Sequence, residues 1–187
     1  VFDDLQVPGV VYEGMTPSAW RVTSAALAQA LPARAHNSHK GRFGHVLIIG
    51  GDHGMGGAVR LAGEGAARVG AGLVSVATQP GHVSAVQAAR PELMTWGVAS
   101  ASDNRAELEA LLRQANVIGL GPGLGQGQWG TSLYQAALNT ECALVVDADG
   151  LNHLAAQPTE RDDWVLTPHP GEAARLLATE VARIEAD

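Results

Sequence analysis

The sequence is short of several residue types on which whole classes of protein depend. A single cysteine, Cys142, in 187 residues excludes an intrachain disulfide framework and any cysteine-built zinc site. It sits in the apolar run Cys142-Ala143-Leu144-Val145-Val146 and reads as a buried structural thiol, not a nucleophile. Aromatic side chains number only eight (four Trp, two Tyr, two Phe), too few for a platform on which single-stranded bases stack. Basic residues are scarce as well. Twelve Lys and Arg face 19 Asp and Glu, and the net charge of −7 is the wrong sign for a protein that tracks nucleic-acid phosphates. No apolar run approaches the roughly 20 residues that cross a bilayer, and no charged-then-apolar leader opens the chain. There is no HExxH zinc motif and no Ser-His-Asp order of the hydrolase kind. These absences leave a reduced, cytoplasmic protein with no nucleic-acid and no membrane partner. The first residue is Val1 rather than Met, and an upstream piece is expected to have been removed.

What is present is a rhythm. At 46 % hydrophobic the chain has enough apolar material for one domain with a sizeable core. Residues 1–39 stand apart as a connector or peripheral arm. Val7-Pro8-Gly9-Val10 and Thr16-Pro17-Ser18 are turn-rich, Thr23 to Leu31 reads as a short Ala-rich helix stopped by Pro32, and Arg34 to Lys40 has no apolar periodicity. From residue 40 a single domain begins. Apolar runs at His45–Ile49, Gly72–Ala77, Asn116–Leu120, Ala143–Val146 and Trp164–Leu166 predict five strands, with helices over Ala58–Val69, Val83–Ala89 and Arg105–Gln114. Strands alternating with helices predict right-handed βαβ units and a three-layer α/β sandwich around a mainly parallel sheet. In such sheets ligands bind beyond the carboxyl ends of the strands, so the loops that follow the strands are where function is sought.

Four of those loops are unusual. Gly50-Gly51-Asp52-His53-Gly54-Met55-Gly56-Gly57-Ala58 exposes main-chain N–H groups ahead of a helix start and suits an anion; with no Walker lysine after the glycines it is not a P-loop, and a tight turn without ligand stays open. Gly119-Leu120-Gly121-Pro122-Gly123-Leu124-Gly125 matches the dinucleotide fingerprint formally, but its proline and the lack of an immediate helix argue against an NAD-binding turn. Its glycines either admit a large ligand to the main chain or form a plain Pro-Gly turn. Asp147-Ala148-Asp149-Gly150-Leu151-Asn152 places two carboxylates and an amide after a strand. It fails the EF-hand pattern, and a site is favoured over a plain Asp149 helix cap because capping does not need Asp147. In Thr167-Pro168-His169-Pro170-Gly171-Glu172, a helix start accounts for Pro170 and Glu172 but not for His169. His36 and His39 in the connector, and His82 and His153 on helices, have bland readings.

Taken in this order, with Lys40-Gly41, Gly44-His45-Val46-Leu47-Ile48-Ile49-Gly50-Gly51 and Gly70-Ala71-Gly72-Leu73-Val74 ahead of them, these segments closely resemble the NAD(P)H-hydrate dehydratase family from about Lys40 onward. The resemblance implies a ribokinase-like fold and a lyase that repairs damaged cofactor, removing water from the S-form of hydrated NADH or NADPH with ADP or ATP and Mg2+. It implies that Ala58, Gly123 and His169 contact the hydrated dinucleotide, that Asp149 and Asn152 line the same pocket, and that Glu172 organises phosphate and magnesium without being a direct metal ligand. It also implies a cytoplasmic homo-oligomer, and that residues 1–39 are the connector that follows an epimerase domain in bifunctional members. The family's catalytic Asp motif and most of its nucleotide segment have no counterpart up to Asp187. The chain is therefore expected to be a fragment without the catalytic aspartate, its sheet incomplete toward the C-terminus. Two other functions fit the same residues: a ribokinase-like kinase of a small alcohol, and a non-catalytic dinucleotide-binding module.

Overall fold

The computed structural model describes residues 6–11, 13–16, 21–31 and 33–186; the expectations that rest on Val1, Pro17, Ser18, Pro32 and Asp187 lie outside these. The chain divides into two units, Val1–Ser38 and His39–Asp187. The first holds a short 3-10 turn at Gly9–Val11 and the helix α1 (Ser24–Ala30), whose N-cap Thr23 accepts the Ala26 N–H at 3.2 Å. A threonine at that position satisfies one of the donors that every helix start leaves over.

The second unit runs β1 (His45–Ile49), α2 (Gly56–Val69), β2 (Leu73–Thr78), α3 (Val83–Ala89), β3 (Met94–Gly97), α4 (Arg105–Gln114), β4 (Val117–Leu120), α5 (Gln128–Leu138), β5 (Ala143–Val146), α6 (Asp149–Ala156), β6 (Trp164–Leu166), α7 (Pro170–Leu176) and α8 (Val181–Glu185). The six strands form one parallel sheet in the order β3-β2-β1-β4-β5-β6. The α/β sandwich expected from the sequence is present with one strand more than the five read from it. The addition is β3, an edge strand whose Met94 and Trp96 are 37 % and 46 % exposed. It lacks the continuous apolar run that marks a strand buried on both faces, which is why its sequence did not announce it.

Right-handed crossovers place α2 and α3 on one face and α4, α5 and α6 on the other. On the first face Val59 and Val86 pack with Ile48, Val74, Val76 and Leu93; on the second, Leu111, Leu133 and Leu151 pack with Leu47, Ile49, Ile118, Leu120, Leu144 and Val146. The first face is only half covered. Over β4, β5 and β6 it carries no helix among the described residues: Val145 and Val165 are 37 % and 58 % exposed while Leu144 and Val146 are buried. A groove of about 440 Å3 lined by Ile48, Ala62, Gly119, Val145 and Thr167 runs along it. Parallel sheets are ordinarily buried on both sides, so this half resembles an antiparallel sheet with one wet face.

Candidate functional site

The strand order reverses between β1 and β4, so the loops leaving those two strands part toward opposite faces and open a crevice at the carboxyl edge. They are the two glycine-rich loops, and they are stitched together. Gly51 N–H donates to the Pro122 carbonyl at 3.0 Å, Asp52 N–H to the Gly123 carbonyl at 2.6 Å and Gly121 N–H to the Ile49 carbonyl at 3.1 Å. The approach depends on missing side chains. A Cβ at Gly50 would run into the Pro122 carbonyl oxygen, and one at Gly123, whose φ is +60°, would stand 2.7 Å from Met55 Cβ and 3.2 Å from Ala58 Cβ. Ala58 and Gly123 thus meet across the seam as neighbours.

The end of β2 holds this seam from the side. The Gly51 carbonyl accepts from Thr78 Oγ1 at 2.9 Å and from His82 Nδ1 at 3.1 Å, and Gln79 Nε2 donates to Asp52 Oδ1 at 3.0 Å. Thr78 and Gln79 are buried. Neither lies in a motif that marks it in the sequence, and His82, expected to have a bland place on a helix, ends the 3-10 turn Pro80–His82 with its ring facing the β1 loop. The usable signal was position: Thr78-Gln79 closes a strand at the same sheet edge as the other loops.

Asp149 is not a helix cap. The N-cap of α6 is Ala148, and the Asp149 carboxylate accepts the Gly125 N–H on Oδ2 at 2.9 Å and Asn152 Nδ2 on Oδ1 at 3.1 Å. One turn on, buried His153 donates Nε2–H to the Gly125 carbonyl at 2.9 Å, so α6 holds both bonding groups of that glycine. Asp147 accepts from Thr167 Oγ1 at 2.9 Å, tying the β5 turn to the β6 turn. Between the two aspartates Ala148 is at φ 48°, ψ −120°, a conformation that costs about 1–3 kcal/mol and recurs where a site is held under constraint. Behind it the Tyr134 ring stacks on His153 with centroids 5.0 Å apart; its hydroxyl is buried without a partner among the described residues, and burial pushes its pKa above the ordinary value.

His169 has the local role that the sequence reading did not find for it. It is the N-cap of α7. Its Nδ1 accepts the Gly171 N–H at 3.0 Å, Glu172 Oε2 accepts the His169 N–H at 3.0 Å, and His169 Nε2 lies 3.3 Å from Glu172 Oε1. With Nδ1 accepting, the proton of the neutral ring sits on Nε2. The side chain of His169 is 64 % exposed and that of Glu172 only 9 %. The hydrogen bonds of His169 stay within its own turn, and α7 joins the other loops further along, where Arg175 donates to Asn152 Oδ1. Both Glu172 oxygens are engaged by this turn, and no group of three His, Cys, Asp or Glu that could hold a metal occurs among the described residues.

The four loops therefore meet at one sheet edge in the order in which the sequence presents them. Residues 46–187 match the model of the NAD(P)H-hydrate dehydratase family, three quarters of the chain. The chain belongs to this family. It is 56 % identical over 157 residues, 84 % of its length, to the bifunctional NAD(P)H-hydrate repair enzyme Nnr of Coxiella burnetii, of which it covers 31 %. It is 37 % identical over 172 residues to the ADP-dependent (S)-NAD(P)H-hydrate dehydratase of Neisseria meningitidis, covering 88 % of this chain and 56 % of that one. Among solved structures it is similar to the ADP/ATP-dependent NAD(P)H-hydrate dehydratase of Bacillus subtilis co-crystallised with ATP/Mg2+, with a TM-score of 0.74, 29 % identity, and 88 % and 58 % of the two chains covered. A ribokinase-like superfamily protein of Enterococcus faecalis superposes with a TM-score of 0.73 at 28 % identity, covering 80 % and 54 %. The chain spans about a third of the bifunctional relatives' length and a little over half of the single-domain dehydratases'.

Proposed function

We propose that the protein to which this chain belongs repairs hydrated nicotinamide cofactors, returning the S-form of NADH or NADPH hydrate to NAD(P)H at the expense of ADP or ATP with Mg2+. In this reading the nucleotide's terminal phosphoryl group passes to the hydrate's hydroxyl. Phosphate then leaves with the C–O electron pair and a ring proton is lost, restoring the ring double bond. Ala58, Gly123 and the exposed His169 ring contact the hydrated dinucleotide, Asp149 and Asn152 line its pocket, and Glu172 organises phosphate and magnesium. The observation that carries the reading is the convergence of the family-matched loops on the switch point, where Ala58 and Gly123 adjoin and α6 pins Gly125.

The chain is read as the first part of the dehydratase domain, preceded by a connector over residues 1–39, and the catalytic aspartate is assigned to polypeptide beyond Asp187. Two facts support this. The relatives are longer, and the open face over β4–β6 is what a parallel sheet shows when part of its covering layer comes from elsewhere. The assembled protein is placed in the cytoplasm as a homo-oligomer.

The test is to measure the intact mass of the protein from its natural source, then incubate that protein with ADP and hydrated NADH. Recovery of reduced-nicotinamide absorbance is expected from a protein well above 19.3 kDa. Phosphorylation of a small alcohol without such recovery would replace this reading with the kinase. Hydrate binding without turnover by a natural 19.3 kDa chain would replace it with the binding module.

A further inference from the structure

Outside the residues that the family resemblance assigns, one side chain completes a continuous connection across the site. Arg175 projects from α7 and donates to Asn152 Oδ1 on α6; Asn152 Nδ2 donates to Asp149 Oδ1 at 3.1 Å; Asp149 Oδ2 accepts the Gly125 N–H of the β4 loop at 2.9 Å. The direction of every bond is fixed by chemistry. A guanidinium only donates, so Asn152 must turn its oxygen toward Arg175 and its NH2 toward Asp149, and the carboxylate is left with its other oxygen for Gly125. Reversing the amide would set donor against donor at one end and oxygen against oxygen at the other. Arg175 is exposed and has no carboxylate partner among the described residues, so an ion pair does not account for its position. His153 holds the Gly125 carbonyl from the same helix, and the loop is fixed two residues after Gly123.

We propose that Arg175 is a positioning residue that couples α7, the helix capped by His169 and Glu172, to the Gly121–Gly125 loop by fixing the Asn152 amide. The substrate-side consequence rests on the repair reading above; the structural coupling does not. Helix and loop are bonded to each other through α6, so a ligand that orders one orders the other, the kind of physical link that a claim of coupling needs.

The test uses the complete protein to which this chain belongs in two readouts, exchange of the Gly125 amide by NMR and binding of hydrated NADH. Arg175→Met is expected to speed Gly125 exchange about tenfold or more, as loss of roughly 1.4 kcal/mol of local protection gives, while amides in β1 keep their rates. Arg175→Lys, which keeps a donor, is expected to restore most of the protection. Arg175→Met added to Asn152→Ala is expected to change Gly125 exchange less than twofold, because the two residues act in series. Unchanged Gly125 exchange in Arg175→Met, or full additivity with Asn152→Ala, would overturn the proposal. If Arg175→Met also loses β1 protection, the Lys variant and the cycle decide the outcome. Coupled exchange effects in a complete protein that binds no hydrated NADH would leave the positioning role intact and count against the repair reading alone.

Discussion

Replacing Gly123 with alanine tests the loop seam with a control of the same chemistry in the same molecule. At φ +60° an L-residue carries about 1–2 kcal/mol of left-handed strain that glycine does not. The new methyl would also stand 2.7 Å from Met55 Cβ and 3.2 Å from Ala58 Cβ, an overlap that forces α2 away from the loop at a further ~1–3 kcal/mol. The sum is a loss of about 2–5 kcal/mol, a large share of the ~5–15 kcal/mol that holds a domain of this kind together. At ~2–4 °C per kcal/mol the melting midpoint falls by about 4–20 °C. Gly65 is the control: it lies inside α2, its Cβ would meet nothing within 4 Å, and alanine there is expected to add about 0.5–1 kcal/mol by restricting the unfolded chain. Urea unfolding of the two variants beside the parent reads both values. A Gly123→Ala variant within 1 kcal/mol of the parent would refute the close packing of the two loops. Equal losses in both variants would show that glycine content, not the seam, sets the effect.

Tyr134→Phe is expected to raise stability by about 1 kcal/mol, because the hydroxyl is buried without a partner among the described residues; a loss of that size in a melting experiment would mean that the hydroxyl is satisfied. His45 is 8 % exposed with Nε2 2.8 Å from Ser75 Oγ, and burial lowers its pKa. The unfolded chain binds a proton near pH ~6.5 that the folded ring refuses, so stability is full above that pH and falls as pH drops toward the lowered folded value. His45→Gln is expected to flatten this slope below about pH 6.5, and an unchanged slope would assign it to another group. His169→Ala is expected to cost about 0.5–2 kcal/mol as a lost cap and to weaken hydrated-dinucleotide binding more than ADP binding in the complete enzyme. Equal loss of both ligands, or of neither, would remove His169 from the substrate side.

The layer order and the sheet edge at which the four loops meet were legible because both follow from patterns that depend on few residues. An apolar run such as Leu47-Ile48-Ile49 ended by two glycines already says that a strand is buried on both faces and where it stops. β3 was illegible for the complementary reason: Met94 and Trp96 face solvent at the sheet edge, so the strand is held by pairing with β2, which has no signature in its own residues. The four loops could be named from sequence, but not what joins them. His153 on Gly125, Thr78 and His82 on Gly51, and Arg175 on Asn152 bridge 28, 27, 31 and 23 positions, and nothing in local spacing foretells contacts at that range. Ala148 is a further example. Its positive φ is imposed by what flanks it, since alanine has no preference for that region.

At His169 a helix cap and a ligand contact are competing explanations only as long as the residue is known from sequence alone. In the folded turn they use different parts of one ring. Nδ1 is spent on the Gly171 N–H and Nε2 lies 3.3 Å from Glu172 Oε1, while the rest of the 64 % exposed side chain is open to a ligand. A cap of this kind fixes the tautomer and the ring plane before any ligand arrives, which is what a precise contact requires. The two roles separate experimentally with His169→Asn. Asparagine is among the best N-caps and is expected to hold stability within a few tenths of a kcal/mol of the parent, while removing the imidazole edge. Stability kept with binding lost would show that the cap serves the contact; stability and binding both kept would reduce His169 to a helix start.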